Sequence, residues 1–202
     1  VVVNSAEMVA AKEALAELID LAEALIAEVT TNVDPTGKET TIGLQANDPN
    51  AAFYVSTNAD QNTGGGNQDG GGIAALVDGR IEGENHYFHS RWGGTAVNAP
   101  HHIQIDLGVG NSINTFKFSY VAHNAPDPTT IVVSGSNDGT NFTPIETITK
   151  DVIAVSSTYT SKVFESATAY RYLRFAVTAS SRSGYGSSFG SYYCFGMKEF
   201  DL

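Results

Sequence analysis

The residues able to do chemistry in this 202-residue chain fall into a few short groups, and most of them lack what catalysis would need. Gly186-Ser187-Ser188-Phe189-Gly190 fits Gly-x-Ser-x-Gly, but a nucleophile elbow requires a strand before it, a helix after it, and a later acid and histidine. A β-rich tail follows instead, and no histidine occurs after His123. Glu82 and Glu84 read as solvated loop charges, since nothing builds the deep cleft a glycosidase pair occupies. The glycine runs 64–66 and 70–72 bracket Asn67-Gln68-Asp69 without the Gly-Lys-Ser/Thr ending of a phosphate-cradling loop. No His-Glu-x-x-His occurs. A non-enzymatic chain is expected. What remains is three sets of aromatic and hydrogen-bonding groups: His89, Arg91 and Trp92; His123 and Asn124; and Arg182, Tyr185, Phe189 and Tyr192.

Composition narrows the partners. With 22 acidic and 11 basic residues the formal net charge is -11, so a phosphate backbone or an anionic membrane surface is repelled. Nucleic acid is not an expected partner. No stretch approaches the ~18 consecutive apolar residues that span a bilayer, and Val1-Val2-Val3 is too short for a signal-peptide core, so the chain reads as a trimmed fragment. The single cysteine, Cys194, cannot form an intrachain disulfide and reads as a buried inert thiol among aromatics.

Positioning elements follow from periodicity. Met8, Ala11, Leu15, Leu18, Ala22, Leu25 and Val29 alternate in steps of three and four, which predicts an amphipathic α-helix, opened by Asn4 and Glu7 and stopped before Pro35 to Gly37. Three heptads with two alanines make a weak coiled coil, so packing on the chain's own sandwich or on a preceding domain is expected. Residues 1–42 thus form a helix and turn. Residues 43–72, rich in Asn, Asp, Gly, Gln and Thr, read as a connecting loop. From residue 73 to 202, eight runs of β-formers separated by turns predict an antiparallel sandwich: 87–92, 102–107, 113–120, 130–134, 142–148, 159–164, 170–177 and 192–202. Asn137-Asp138-Gly139 is the clearest hairpin turn. The class is all-β with an N-terminal helix.

Several segments in order resemble the discoidin family, also called the coagulation factor five/eight type C domain, and its galactose-binding-like carbohydrate-binding relatives. They are Ala75-Leu76-Val77-Asp78-Gly79 with Tyr87-Phe88-His89-Ser90-Arg91-Trp92; His102 to Gly108; Val133 to Gly139; Tyr170 to Phe175; and Phe195 to Phe200. The resemblance covers about residues 73–202. It implies an eight-stranded antiparallel jelly-roll β-sandwich with ligand loops at one end and a structural calcium ion elsewhere. Fold alone does not assign the ligand.

For calcium, the resemblance aligns Asp78 and Glu199 with side-chain ligands, with Asn85, Glu82 or a carbonyl such as that of Ala75 able to add oxygens toward the six to eight the ion takes. Arg80 and His86 depart from the family pattern, which leaves a solvated acidic loop with Glu199 salt-bridged as the alternative. For a sugar, an aromatic face against the apolar side of a pyranose and a few hydrogen-bonding groups are needed on exposed loops. His89, Arg91, Trp92, His123, Asn124 and Tyr185 are the expected set. His123 stands where relatives carry Arg, and Pro128 lies near their Asn. Trp92 reads equally as ligand platform or core ring, and the two histidines as ligand contacts or ordinary loop residues. Phe88 reads as core. The resemblance implies a non-catalytic module that targets a larger extracellular, cell-surface or periplasmic protein to a glycan, galactose-type or a plant or host polysaccharide, with attached domains in the same polypeptide. The other reading is an adhesion or structural module that binds a protein.

Overall fold

Strict alternation of buried and half-exposed residues along 101–106 marks a strand with one face on the core and one facing outward, the pattern of a sandwich wall. The computed structural model describes residues 8, 10–19, 43–46, 53–63, 68–95, 97–124, 126–182 and 194–202. The chain divides into two units, Val1–Thr41 and Ile42–Leu202. In the first, residues 10–19 are α-helical, within the span expected to be a helix. The remainder of that helix lies outside the described residues.

The second unit carries twelve strands among its described residues: β1 (Gln45–Ala46), β2 (Tyr54–Thr57), β3 (Phe88–His89), β4 (His101–Asp106), β5 (Ile113–Phe116), β6 (Ser119–Ala122), β7 (Pro128–Ser136), β8 (Thr143–Thr149), β9 (Thr158–Thr160), β10 (Phe164–Tyr170), β11 (Tyr172–Ser180) and β12 (Gly196–Asp201). They form a six-stranded sheet in the order β1-β2-β4-β11-β7-β8, a four-stranded sheet β3-β12-β6-β9, and the pair β10-β5. All pairings are antiparallel except β1 with β2.

Aromatic rings knit the layers together. Phe175 of β11 meets Phe200 of β12 with ring centroids 5.1 Å apart and Phe118 at 4.8 Å, so the six-stranded and four-stranded sheets share one core. Phe88 is fully buried in that core, as expected. Cys194 is also buried, and burial pushes its thiol pKa up to about 11, which keeps it protonated and unreactive.

Two expectations change. The run 113–120 breaks into β5 and β6, which pair with different strands, β10 and β9. The segment 43–72 is not simply a connecting loop, because β2 pairs with β4 through Tyr54↔Asp106 to Thr57↔Ile103 and so extends the main sheet. Its polar composition concealed a strand whose one fully buried residue is Val55. The predicted hairpin joins β7 to β8 around Gly139 at φ 71°, with the Asp138 carboxylate accepting the amides of Thr140 and Asn141 at 2.8 and 2.7 Å.

Candidate functional site

β3 and β6 both run antiparallel to β12, with Gly196 opposite His89 and Met197 opposite both Phe88 and Ala122. Residues at the ends of β3 and β6 therefore emerge at the same edge of the sheet, which puts His89 and His123 together despite 34 residues of separation. A pocket of about 460 Å³ lies there, lined by Asp69, Tyr87, His89, Trp92, His123 and Asn124 together with Pro126 and Arg182.

Asp69 organises the wall. Its carboxylate accepts the Tyr87 hydroxyl at 2.5 Å and the Trp92 indole N–H at 2.7 Å, one oxygen each, which fixes both rings. The loop that carries Asp69 is itself tied down: Asn62 accepts the Asp69 amide at 2.9 Å and donates to the Gly70 carbonyl at 2.8 Å. Gly70 has φ 79°, and a Cβ there would lie 2.3 Å from the Tyr87 carbonyl oxygen, so only glycine fits this close approach. Burial, reinforced by the hydrogen bond and negative charge of Asp69, pushes the Tyr87 phenol up to about 12.

One face of Tyr87 is covered by the His123 ring, with centroids 3.7 Å apart and planes 10° from parallel. His123 is pushed down to about 4, chiefly by burial, and burial likewise lowers His89. Both imidazoles are neutral at pH 7. His89 Nδ1 donates to the Ser90 carbonyl at 2.6 Å, which leaves Nε2 as an acceptor. Trp92 is half-buried, while Asn124 and Arg182 are exposed. Fixed aromatic surface, neutral hydrogen-bonding groups and one guanidinium suit a polar, uncharged ligand with apolar patches.

Of the residues expected to bind a ligand, His89, Trp92, His123 and Asn124 converge on this pocket. Trp92 is a wall of the site and not a core ring. Tyr185 lies outside the described residues, as do Phe189, Tyr192 and the Gly186–Gly190 motif. Arg91 is a correction: its guanidinium is buried, donating to the Asp60 carbonyl, to Thr63 Oγ1 at 2.7 Å and to the Thr95 carbonyl. It pins the 60–63 turn, beside the isolated bridge between Asp60 and Ser90. Asp69 and Tyr87 were not expected. Asp69 sat inside a glycine-rich run, and Tyr87 stood in a strand pattern that gives no sign of which ring faces outward.

The expected calcium ligands are only partly brought together. Glu199 of β12 does reach the turn after Asp78, accepting the Gly79 amide at 3.0 Å. Asp78, however, is engaged on both oxygens, by the Arg80 amide at 2.9 Å and by His86 Nδ1 at 2.8 Å. Asn85 turns at φ 65° with its carbonyl against Gly71, and Ala75 is buried in the 3-10 turn Gly72–Val77. Among the described residues no three His, Cys, Asp or Glu side chains converge as a metal cage. In this arrangement His86 holds the Asp78 oxygen that an ion would use, and it offers nitrogen where a hard cation takes oxygen. Glu82 and Glu84 are exposed.

The fold and its loop-end pocket define a β-sandwich recognition module. The chain belongs to the F5/8 type C domain family, whose model matches residues 54–191. That match begins at β2, in agreement with the pairing of β2 into the main sheet. No curated protein sequence matches the chain. Among solved structures it is similar to CpGH89CBM32-5 from Clostridium perfringens, in complex with GalNAc-β-1,3-galactose, at 18% identity and TM-score 0.52 over 74% of this chain and 94% of that one. It is also similar to CBM32-3 from a family 31 glycoside hydrolase of the same organism, at 17% and 0.54 over 83% and 97%. A third likeness is the C-terminal domain of a Bacteroides fragilis chitobiase, at 20% and 0.51 over 80% and 95%. At these identities the likeness establishes the fold. No helix among the described residues is long and apolar enough to cross a membrane.

Proposed function

We propose that the chain is a non-catalytic carbohydrate-binding module whose loop-end pocket takes a galactose or N-acetylgalactosamine residue at the end of a glycan, directing a larger extracellular, cell-surface or periplasmic protein to it. The observation that carries this reading is the pocket wall in which one carboxylate, Asp69, fixes Tyr87 and Trp92 beside the neutral imidazoles of His89 and His123. Such a wall offers apolar ring surface to the carbon face of a pyranose, and His89 Nε2, Asn124 and Arg182 offer acceptor and donor groups to its hydroxyls. The disaccharide bound by the Clostridium perfringens module supports galactose-type sugars as the first to try.

A shallow site with few hydrogen bonds gains little beyond the cost of immobilising the sugar, so a Kd from ~0.1 to 1 mM is expected. The test is calorimetric titration with GalNAc-β-1,3-galactose and galactose, repeated with Trp92→Ala. Saturable binding weakened tenfold or more by the substitution supports the reading. Saturable binding to no sugar on a glycan array, together with binding to a protein partner, overturns it.

A further inference from the structure

The outer face of the six-stranded sheet carries a second cavity that shares no residue with the loop-end pocket. Register puts Gln104, Arg174 and Ser134 in one row across β4, β11 and β7, and His102, Ala176 and Val132 in the next. Both rows face away from the core residues Ile103, Phe175 and Val133. Ser134 and Ala176 are small, yet they are only 7% and 6% exposed. The larger side chains of His102, Arg174 and Phe142 stand around them, so small residues make a floor and large ones the walls. The resulting groove is about 430 Å³, within the size of small-ligand sites.

Arg174 is held in place in that groove. Its Nε and Nη2 both donate to Gln104 Oε1, at 3.1 and 2.6 Å, and its guanidinium lies over the Phe142 ring at 3.6 Å. These contacts orient the planar fork without neutralising it, since an amide oxygen and a ring carry no net charge. Among the described residues no carboxylate pairs with Arg174, and Nη1 makes no hydrogen bond. Arg171, three residues earlier, is by contrast bidentate on Asp106. Burial lowers the Arg174 pKa. His102 is pushed down to about 4 by burial and then by Arg174, so it is neutral at pH 7. Arg174 is therefore the charged side chain among the described residues of the groove, and an anion would offset the cost of its desolvation.

We infer that this groove is a second glycan-binding site, in which Arg174 receives the anionic group, a carboxylate or a sulfate ester, of an acidic polysaccharide. The inference rests on the carbohydrate-binding reading above. The free edge of a planar guanidinium matches two oxygens of one anionic group, while the hydroxyls of Ser134 and Thr178 and the amide of Asn98 can meet ring hydroxyls. The net charge of -11 opposes an acidic polymer at a distance, but screening over about 8 Å at physiological ionic strength leaves a contact-distance pair little affected.

The test titrates the chain with a galacturonate oligomer, a sulfated galactan oligomer and a neutral galactan oligomer of equal length, followed by amide chemical shifts. At least one acidic oligomer should bind saturably and shift amides of 102–104, 132–134 and 174–178. Arg174→Gln should weaken that binding tenfold or more, and Arg174→Lys should restore only part of it. Both variants should melt as the parent does and bind GalNAc-β-1,3-galactose at the loop end unchanged, so failure here is distinct from failure of the galactoside reading. Response to only one acid identifies the anion. No saturable shift on this face with either acid, equal binding of the neutral oligomer there, or Arg174→Gln binding the acid as tightly as the parent would overturn the inference.

Discussion

Replacing Asp69 by Asn tests the central piece of the site at almost constant shape. In the parent, two donors, Tyr87 O–H and Trp92 Nε1–H, each find a carboxylate oxygen, at 2.5 and 2.7 Å. An amide oxygen can keep the Trp92 indole while its NH₂ donates to the Tyr87 oxygen, so both contacts survive only as neutral hydrogen bonds without charge assistance. A hydrogen bond to a charged group contributes about 1.5–3 kcal/mol against about 0.5–1.5 for a neutral one, so in this half-exposed setting the two weakened bonds together lose about 1.5 kcal/mol. About 1.5 kcal/mol corresponds to roughly a tenfold fall in galactoside affinity, because the ligand must then immobilise a ring the parent holds in advance. Calorimetry reads that loss. A second readout is independent of the ligand: removing the carboxylate charge should lower the Tyr87 phenol from about 12 by the share Asp69 adds, while burial, the larger cause, still holds it above the free value, seen in ultraviolet difference titration against a Tyr87→Phe background. An Asp69→Asn protein with affinity unchanged within twofold and the same phenol titration would refute the reasoning.

Asp127 accepts the Tyr120 hydroxyl at 2.7 Å, Lys150 Nζ at 2.7 Å and the Ile153 amide at 3.0 Å, all behind the loop that carries His123 and Asn124. Asp127→Asn leaves a buried ammonium without its anion and should cost about 3–5 kcal/mol in urea unfolding; a loss below about 1 kcal/mol contradicts this. His101 is fully buried and pushed down to about 4 by desolvation. The unfolded chain therefore takes up a proton below about 6.5 that the folded chain refuses until about 4, so stability falls as pH drops through that window, by up to roughly 3 kcal/mol from this residue. Equal urea midpoints at pH 7 and 4.5 would argue against it. With Asp78 bound to His86, a chelator should leave the melting temperature unchanged and added calcium should not raise it; a calcium-dependent rise that disappears in Asp78→Ala would restore the ion.

The strands were legible where packing imposes a period. Ile103, Ile105, Val133, Leu173 and Phe175 announce buried faces because each strand has one side on the core, and Asp138-Gly139 marks its hairpin because few residues accept that backbone. Val55 was harder to see. One buried residue among Tyr54, Ser56 and Thr57 is too short a period to stand out from a polar stretch, although Val55 pairs directly with the buried Ile105 of β4.

The site was legible only as far as two strand ends, His89 and His123, whose meeting follows from topology. Asp69 follows from no period at all. Its position depends on Asn62 gripping the loop at both Asp69 and Gly70, and on Asp60, which binds the amides of Asn62 and Ile73 at 2.9 and 2.8 Å. Each of these is a polar side chain satisfying a backbone group, and such bonds link residues without any hydrophobic spacing to betray them. A stretch dense in Asn, Asp and Gly therefore has two physical readings, a solvated linker or a loop folded on its own side chains. Arg91 bears on which one holds, because a buried guanidinium requires acceptors, and the Asp60 carbonyl meets two of its donors, at 3.1 and 2.6 Å. The same contact removes Arg91 from the ligand surface and gives the loop carrying Asp69 a rigid base, so the residue misplaced by sequence and the residue invisible in it have one structural cause.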